Sequence, residues 1–476
     1  MLPSLALVAV ACGEDNPVDA ETGPTGASED SSSSDPTVAP TTAPADSSGS
    51  TTGEPTATDP TTGVDSSSST GSVAGCGDGT LEDGEECDDG NEVDGDECSA
   101  TCTIPYEVVW TESHDGSASN NDFVAEVAVD GAGNIYVVGR ERATDEGFNL
   151  WLRQYDAEGA EVWTVSYNAP FGGDEEGAAL ALLDDGDIII AGTVETETSG
   201  DDIFIARVDG TTQEFEWEVV QDGPGMGKGE PDDADSASDV VVDADGNLYV
   251  VGSFRIGTQD WDMWIGKYDA DGVELWQSGH TGAEGGADFG RSVVVDGEGT
   301  AWMFGNEEGA DGAFATAIGF DTDGTPLVDD IQVFDFRAAD LAIDVDGNFV
   351  AAGTAAPGAT FDDFVVRKYD PTWTETWAIV TDIDGSDDLA SGMSVGPTGT
   401  IYVAGTTRVT ATNYDAALRV YDTDGNGLWG AIHGNEKLGD QFNYAVEHPD
   451  GDVVAGGFES VFGEQTNGLV MKYRAL

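Results

Sequence analysis

The side chains most able to do chemistry in this 476-residue chain are carboxylates, 94 of them against 16 Lys and Arg and four His. Six fall at one recurring place, Asp122, Glu176, Asp235, Asp288, Asp388 and Asp440, with Phe336 where a seventh would stand. Clustered carboxylates raise one another's pKa or bind a hard cation such as Ca²⁺, which prefers oxygen ligands. Ca²⁺ is therefore the candidate cofactor and these six its candidate ligands. The competing reading is that each accepts hydrogen bonds from the amides of its own loop, the usual fate of a repeated turn position. D-x-D-G segments at Asp243/Asp245, Asp344/Asp346 and Asp422/Asp424 also look like cation loops. They lack the D-x-[DN]-x-[DN]-G-x5-E spacing of an EF-hand, and hairpin turns account for them. His114, His280 and His433 each lie four residues after a Trp, so they mark one repeated position rather than a metal constellation. G-x-S-x-G, H-E-x-x-H and Walker-loop motifs are absent, and no catalytic residue is assigned.

The formal charge of -78 works against nucleic-acid binding and against docking on an anionic membrane surface. No apolar run reaches the roughly 18 residues that a spanning helix needs. Residues 1–105 hold 22 acids and no base, leaving 72 acids and 16 bases for residues 106–476. The first aromatic residue is Tyr106, so the core must lie beyond it.

Cysteines add a second kind of chemistry. Cys76, Cys87, Cys98 and Cys102 fall within 27 residues, and Cys12 stands apart. Two disulfides are expected from the four, with three pairings open. A four-cysteine zinc site is the alternative, but it usually needs two close pairs, and only Cys98/Cys102 is close. Residues 2–11 (LPSLALVAVA) form a short apolar run that ends in small residues at Cys12, as in a secretory signal. The run resembles a bacterial lipoprotein lipobox, in which that cysteine is acylated, and it implies a lipid anchor at Cys12. Residues 13–75 are almost entirely Ser, Thr, Pro, Gly, Ala, Asp and Glu, too poor in apolar surface to fold, and read as a disordered stalk. The wording CGDG…GEECDDGN…GDECSATC over 76–103 closely resembles the cysteine-rich disulfide repeat of myxobacterial surface proteins. That resemblance implies an oxidising, extracytoplasmic location.

The elements that must position these groups repeat. From residue 106 an apolar strand, a tight turn and a strand ending in glycine recur, as in VAVDGAGNIYVVG and VVVDADGNLYVVG. The closing glycines are Gly139, Gly192, Gly252, Gly305, Gly353, Gly405 and Gly457, at spacings of 53, 60, 53, 48, 52 and 52 residues. Periods near 50 in an all-strand pattern indicate propeller blades. In the first unit the strands are expected at 123–130, 134–139, 148–156 and 161–167, with Trp163 in the last. The seventh unit runs out of chain before its fourth strand. YEVVWTESH at 106–114 supplies one, because Trp110 lies 29 residues before Gly139, as Trp163 lies before Gly192. The expected fold class is thus all-β, a seven-bladed β-propeller over 106–476 whose N-terminal strand closes the last blade. These units resemble the bacterial repeat family named for seven-bladed propellers; the fourth departs most, with Leu327 in place of Trp.

Function follows less directly. Variable loops on a rigid ring are where binding usually sits, which favours the face carrying the B–C and D–A loops. The six carboxylates are expected at the channel mouth on that face. The leading reading is a monomeric, non-catalytic outer-membrane or extracellular lipoprotein whose propeller binds an envelope protein, glycan or polymer, assisted by Ca²⁺. The alternative is a secreted or tethered hydrolase or lyase acting from the same face.

Overall fold

The computed structural model describes residues 76–476 apart from 83–84, 89, 92, 119–120, 145–146, 171–172, 198–199, 222–234, 256–260, 283–285, 310–311, 328–330, 356–361, 384, 411–412, 435–438 and 462–464. Cys12, the signal segment and the stalk lie outside the described residues. All regular structure among the described residues is β, in seven four-stranded antiparallel sheets; six are built from four consecutive strands, and the seventh joins the first strand to the last three. The chain is a seven-bladed propeller. Blade 1 consists of strands A (Phe123–Val129), B (Ile135–Ala143), C (Gly147–Tyr155) and D (Glu161–Tyr167).

Blade 7 takes its A, B and C strands from Gln441–Glu447, Val453–Ser460 and Thr466–Ala475, and its outer strand from Tyr106–His114. The closure inferred from Trp spacing is therefore how the ring is built. Tyr106 pairs with Ala475 and His114 with Gly468, so the two ends of the propeller are held in one sheet. Closing the ring in this way leaves no long unpaired edge at either terminus.

Strand B runs past its closing glycine in every blade, to Ala143 in the first, so the glycine does not end the strand as expected. Its role is different. In all seven A–B pairs the register slips by one residue beside this glycine, as between Val124 and Glu126 opposite Gly139. A Cβ at Gly139 would collide with the Phe123 carbonyl oxygen, and the same A-strand carbonyl blocks each equivalent glycine. The bulge needs the backbones this close, and it tips the bulged A-strand residue toward the axis.

Tryptophans stitch the blades together. The Trp110, Trp217, Trp276 and Trp377 indoles donate to the carbonyls of Ala157, Ala270, Thr322 and Thr423 in the next blade's C–D turn, at 3.0–3.3 Å. Each ring lies on that turn's glycine, Gly159, Gly272, Gly324 or Gly425. Blade 4 lacks the tryptophan, and its outer strand shrinks to Gln332–Val333. Blade 5 fills the space from the opposite side: Trp373 occupies its turn's glycine position at φ 61° and stacks on Phe349 at 4.1 Å. The loss of one Trp and the replacement of one Gly are thus two halves of one packing solution.

The cysteines form two nested disulfides, Cys76–Cys102 and Cys87–Cys98. This small module sits on blade 6, where Glu97 meets the buried Arg419 at 2.5 Å and Gly430 donates to the Asp96 carbonyl. Disulfides persist in oxidising compartments, so they point to an extracellular or envelope location. No helix among the described residues is long and apolar enough to cross a membrane.

Candidate functional site

The six carboxylates singled out by spacing do not open onto the channel mouth. All are buried and none lines the central cavity. Each sits where its A strand starts, between two blades, and most hold their own loops. Asp122 accepts the Gly116 and Arg142 amides at 2.7 and 2.5 Å, and Asp288 accepts those of Gly282 and Glu308 at 2.5 and 3.2 Å. Asp235 accepts the Arg255 amide and Asp440 the Ser460 amide. Burial nonetheless pushes the Asp122 and Asp288 carboxyls above the ordinary range, against these hydrogen bonds. In blade 2 the register corrects the assignment by one residue. Gly177 faces Gly192 as Val124 faces Gly139, so Glu175, not Glu176, is the equivalent of Asp122. Glu175 is buried and pushed up to about 8, mainly by burial, while Glu176 pairs with Arg140 at 2.9 Å. Phe336 fills the position in blade 5, against Phe304 and Phe334. Asp388 is only half satisfied: its Oδ2 accepts the Ile383 amide, but its Oδ1 is buried without a hydrogen-bond partner, as are Glu176 Oε1 and both oxygens of Glu175. Among the described residues, no metal-sized group of three or more side chains contains two of the six.

The D-x-D-G carboxylates are spent on their turns. Asp243 Oδ1 accepts the Asp245 and Asn247 amides at 2.9 and 2.8 Å, and Asp344 and Asp422 do the same one repeat position along. Asn426 and these amides hold the Asp422 carboxyl below its ordinary value. His114 and His280 bond Glu141 and Glu307 of the following blade at 2.8 and 2.9 Å, and His433 lies 4.0 Å from Glu459. The three histidines belong to three different seams and clamp neighbouring blades.

What does line the axis is a cavity of about 1030 Å³, built mainly from the seven A strands. From the loop side its wall begins with Phe123, Phe289, Leu389, Arg140 and Arg337, then carries Arg291, Ser238, Ser391 and Asn443 at the bulges. Next come Glu126, Asp239, Asp340 and Tyr444, and beyond them Leu182, Val242, Ile343 and Val395 close an apolar collar. The bulges create this polar layer, because the residue after each one is turned inward.

An innermost strand has no neighbour on its axial side, so its outward amides need other acceptors. The three cavity carboxylates supply them across the seams. Glu126 accepts the Leu180 amide of blade 2, Asp239 the Val293 amide of blade 4, and Asp340 the Met393 amide of blade 6, at 2.8–2.9 Å. Ser292 and Asn443 make comparable links, to Leu341 and to the Val124 carbonyl. Burial raises all three carboxyls, repulsion from Asp239 adds to it for Glu126 and Asp340, the latter reaching about 7, and burial followed by the same acids raises the Tyr444 phenol. Arg291 has no carboxylate partner among the described residues, and burial depresses its guanidinium.

Sequence reasoning missed this layer. Its signal was present: Glu126, Asp239 and Asp340 are lone acids inside apolar A strands, equally far ahead of Gly139, Gly252 and Gly353.

No protein-family model matches the chain, and no curated protein matches it. Solved structures similar to it include a protein of unknown function from Dyadobacter fermentans, at 13% identity over 78% of this chain and 100% of that one, with a TM-score of 0.43. Another is a PL25 ulvan lyase bound to -[GlcA(1-4)Rha3S]-, at 11% identity, 76% and 95% coverage, and a TM-score of 0.46. The propeller domain of the Trilobed protease from Pyrococcus furiosus matches at 11% identity, 74% and 95% coverage, and a TM-score of 0.43. These are likenesses of fold alone.

Proposed function

We propose that this protein is a non-catalytic cell-envelope lipoprotein, acylated at Cys12, whose propeller binds a glycan at the loop-side end of the central cavity. One observation carries the reading. In a chain with only 16 basic residues, Arg140, Arg291 and Arg337 meet Phe123 and Phe289 at the same end of the cavity, and Arg291 is unpaired. Aromatic faces and planar guanidinium forks suit a sugar chain carrying hydroxyls or carboxylates. The acids deeper in the cavity are already bound to backbone amides, which fits a wall more than a reacting set. Envelope proteins and other polymers are the competing ligands.

The alternative, a hydrolase or lyase, has its own support in Asp340, whose carboxyl near neutrality stands in one cavity with Tyr444 and Arg291. A polysaccharide panel assayed for both binding and turnover separates the two. Binding lost in Arg291→Ala without any product supports the proposal. Turnover abolished by Asp340→Asn overturns it. Metabolic labelling with a palmitate analogue tests the anchor separately: Cys12→Ser abolishes the label if the anchor is correct.

A further inference from the structure

Among the described residues, the seam between blades 5 and 6 is where three blade carboxylates meet. Oxygens of Asp363, Asp382 and Asp388 all lie within 4.8 Å of one another. Asp363 begins strand C of blade 5, Asp382 follows its strand D, and Asp388 opens strand A of blade 6 (Asp388–Val395). Two of the three are deeply buried, Asp363 at 7% exposure and Asp388 at 0%.

Burying like charges together without a counter-charge is costly, so each should have a partner. Asp363 has none: no hydrogen bond or ion pair reaches its carboxylate among the described residues. The arginines nearby are engaged elsewhere, Arg337 with Asp362 at 2.6 Å and Arg408 with Asp387 at 2.7 Å. Asp388 is released in a specific way. In blades 1, 3, 4 and 7 a strand-B amide (Arg142, Arg255, Glu308, Ser460) binds Oδ1 of the equivalent Asp. In blade 6 that amide belongs to Arg408 and donates to the Asp387 carbonyl instead, as the Glu195 amide of blade 2 donates to the Asp174 carbonyl. Asp388 Oδ1 is thereby left buried without a backbone donor, with the Thr407 hydroxyl and the Arg419 charge as the side chains that favour its ionised form.

We propose that Asp363, Asp382 and Asp388 form a Ca²⁺ site that clamps blades 5 and 6. A cation supplies the charge that the protein withholds. Three carboxylates bring one oxygen each within reach and supply the charge, and Ca²⁺ completes its six to eight positions in flexible geometry, whereas Mg²⁺ demands a near-ideal octahedron. Among the described residues no other seam gathers three carboxylates, and in blade 6 the equivalent of Asp363, Asp415, is occupied by Asn413. The site is independent of the cavity and of the glycan reading.

Calorimetric titration of CaCl₂ into the chelator-stripped full chain, paired with thermal melts, tests it. The expected result is one ion per chain at about 10⁻⁴–10⁻³ M, the range of extracellular modules, with a rise in melting temperature. Asp363→Asn and Asp382→Asn should each weaken binding by at least about tenfold, since each removes one of three charges. Asp363→Asn should also melt higher than wild type in chelator, because it removes a buried unpartnered charge; a purely structural carboxylate would show the opposite. Asp288→Asn should leave stoichiometry and affinity unchanged. No heat and no melting shift in the wild type, undiminished binding in both seam variants, or an equal response to Mg²⁺ would each overturn the proposal.

Discussion

A chain that begins at Asp115 lacks the outer strand of blade 7 and tests how the ring is held. Eight residue pairs join Tyr106–His114 to Thr466–Ala475. At a net of about 0.5–1.5 kcal/mol for each ladder hydrogen bond, the strand contributes on the order of 4–12 kcal/mol. Side-chain packing adds to this: Tyr106 lies 5.8 Å from Trp429 and 5.6 Å from Tyr473, and Trp110 bonds Ala157. A folded domain is stable by only about 5–15 kcal/mol, so removing this strand takes away much of the whole. An unfolding entropy of about 2.1 cal/mol/K per residue, over roughly 370 residues, converts 4 kcal/mol into a fall of about 5 °C as the minimum. The assay is a thermal melt followed by tryptophan fluorescence, with size-exclusion chromatography to detect association through the exposed edge. The expected outcome is a broadened or absent transition and a higher-order species, both relieved by a peptide of sequence YEVVWTESH. A truncated chain that melts as a monomer within about 2 °C of the full one refutes the closure as the source of ring stability.

Two further outcomes follow from the packing and the electrostatics. Trp373→Gly relieves a left-handed backbone but opens a hole beside Phe349, for a net loss of about 2–4 kcal/mol and a melt lower by several degrees; Gln213→Gly, at the same turn position and φ, should stay within about 1 kcal/mol of wild type, and equal effects would remove the compensation argument. Asp340, pushed up to about 7 in the folded chain, stays protonated where the unfolded chain has ionised, so folding takes up a proton and its contribution falls as pH rises from about 4 to 7. The melting temperature of Asp340→Asn should therefore decline less over that interval, and an unchanged slope would show that Asp340 does not titrate there.

How far the sequence reaches is clearest at particular residues. The repeat, the seven blades and the ring closure were legible, because strand alternation, turn residues and Trp110's distance from Gly139 are properties of one chain segment at a time. The two disulfides were legible too, but not that Cys76 pairs with Cys102, since spacing leaves all three pairings open. Glu176 stands one residue off the repeat: Glu175 lies as far before Gly192 as Asp122 lies before Gly139, so spacing counted from the closing glycine agrees with the sheet. Trp373 owes its place in the turn to the blade 4 vacancy beside it, a neighbour that only the packed ring supplies. The carboxylates picked out by repetition are mostly bound to their own loops, whereas one of them, Asp388, meets Asp363 and Asp382 across a seam. Asp363, Asp382 and Asp388 are contributed by two blades, and whether they converge depends on how those blades rotate and pack. Local alternation and turn chemistry determine each blade within one stretch of chain. The chemistry between blades arises from contacts that no single stretch contains, and so it appears only when the ring is closed.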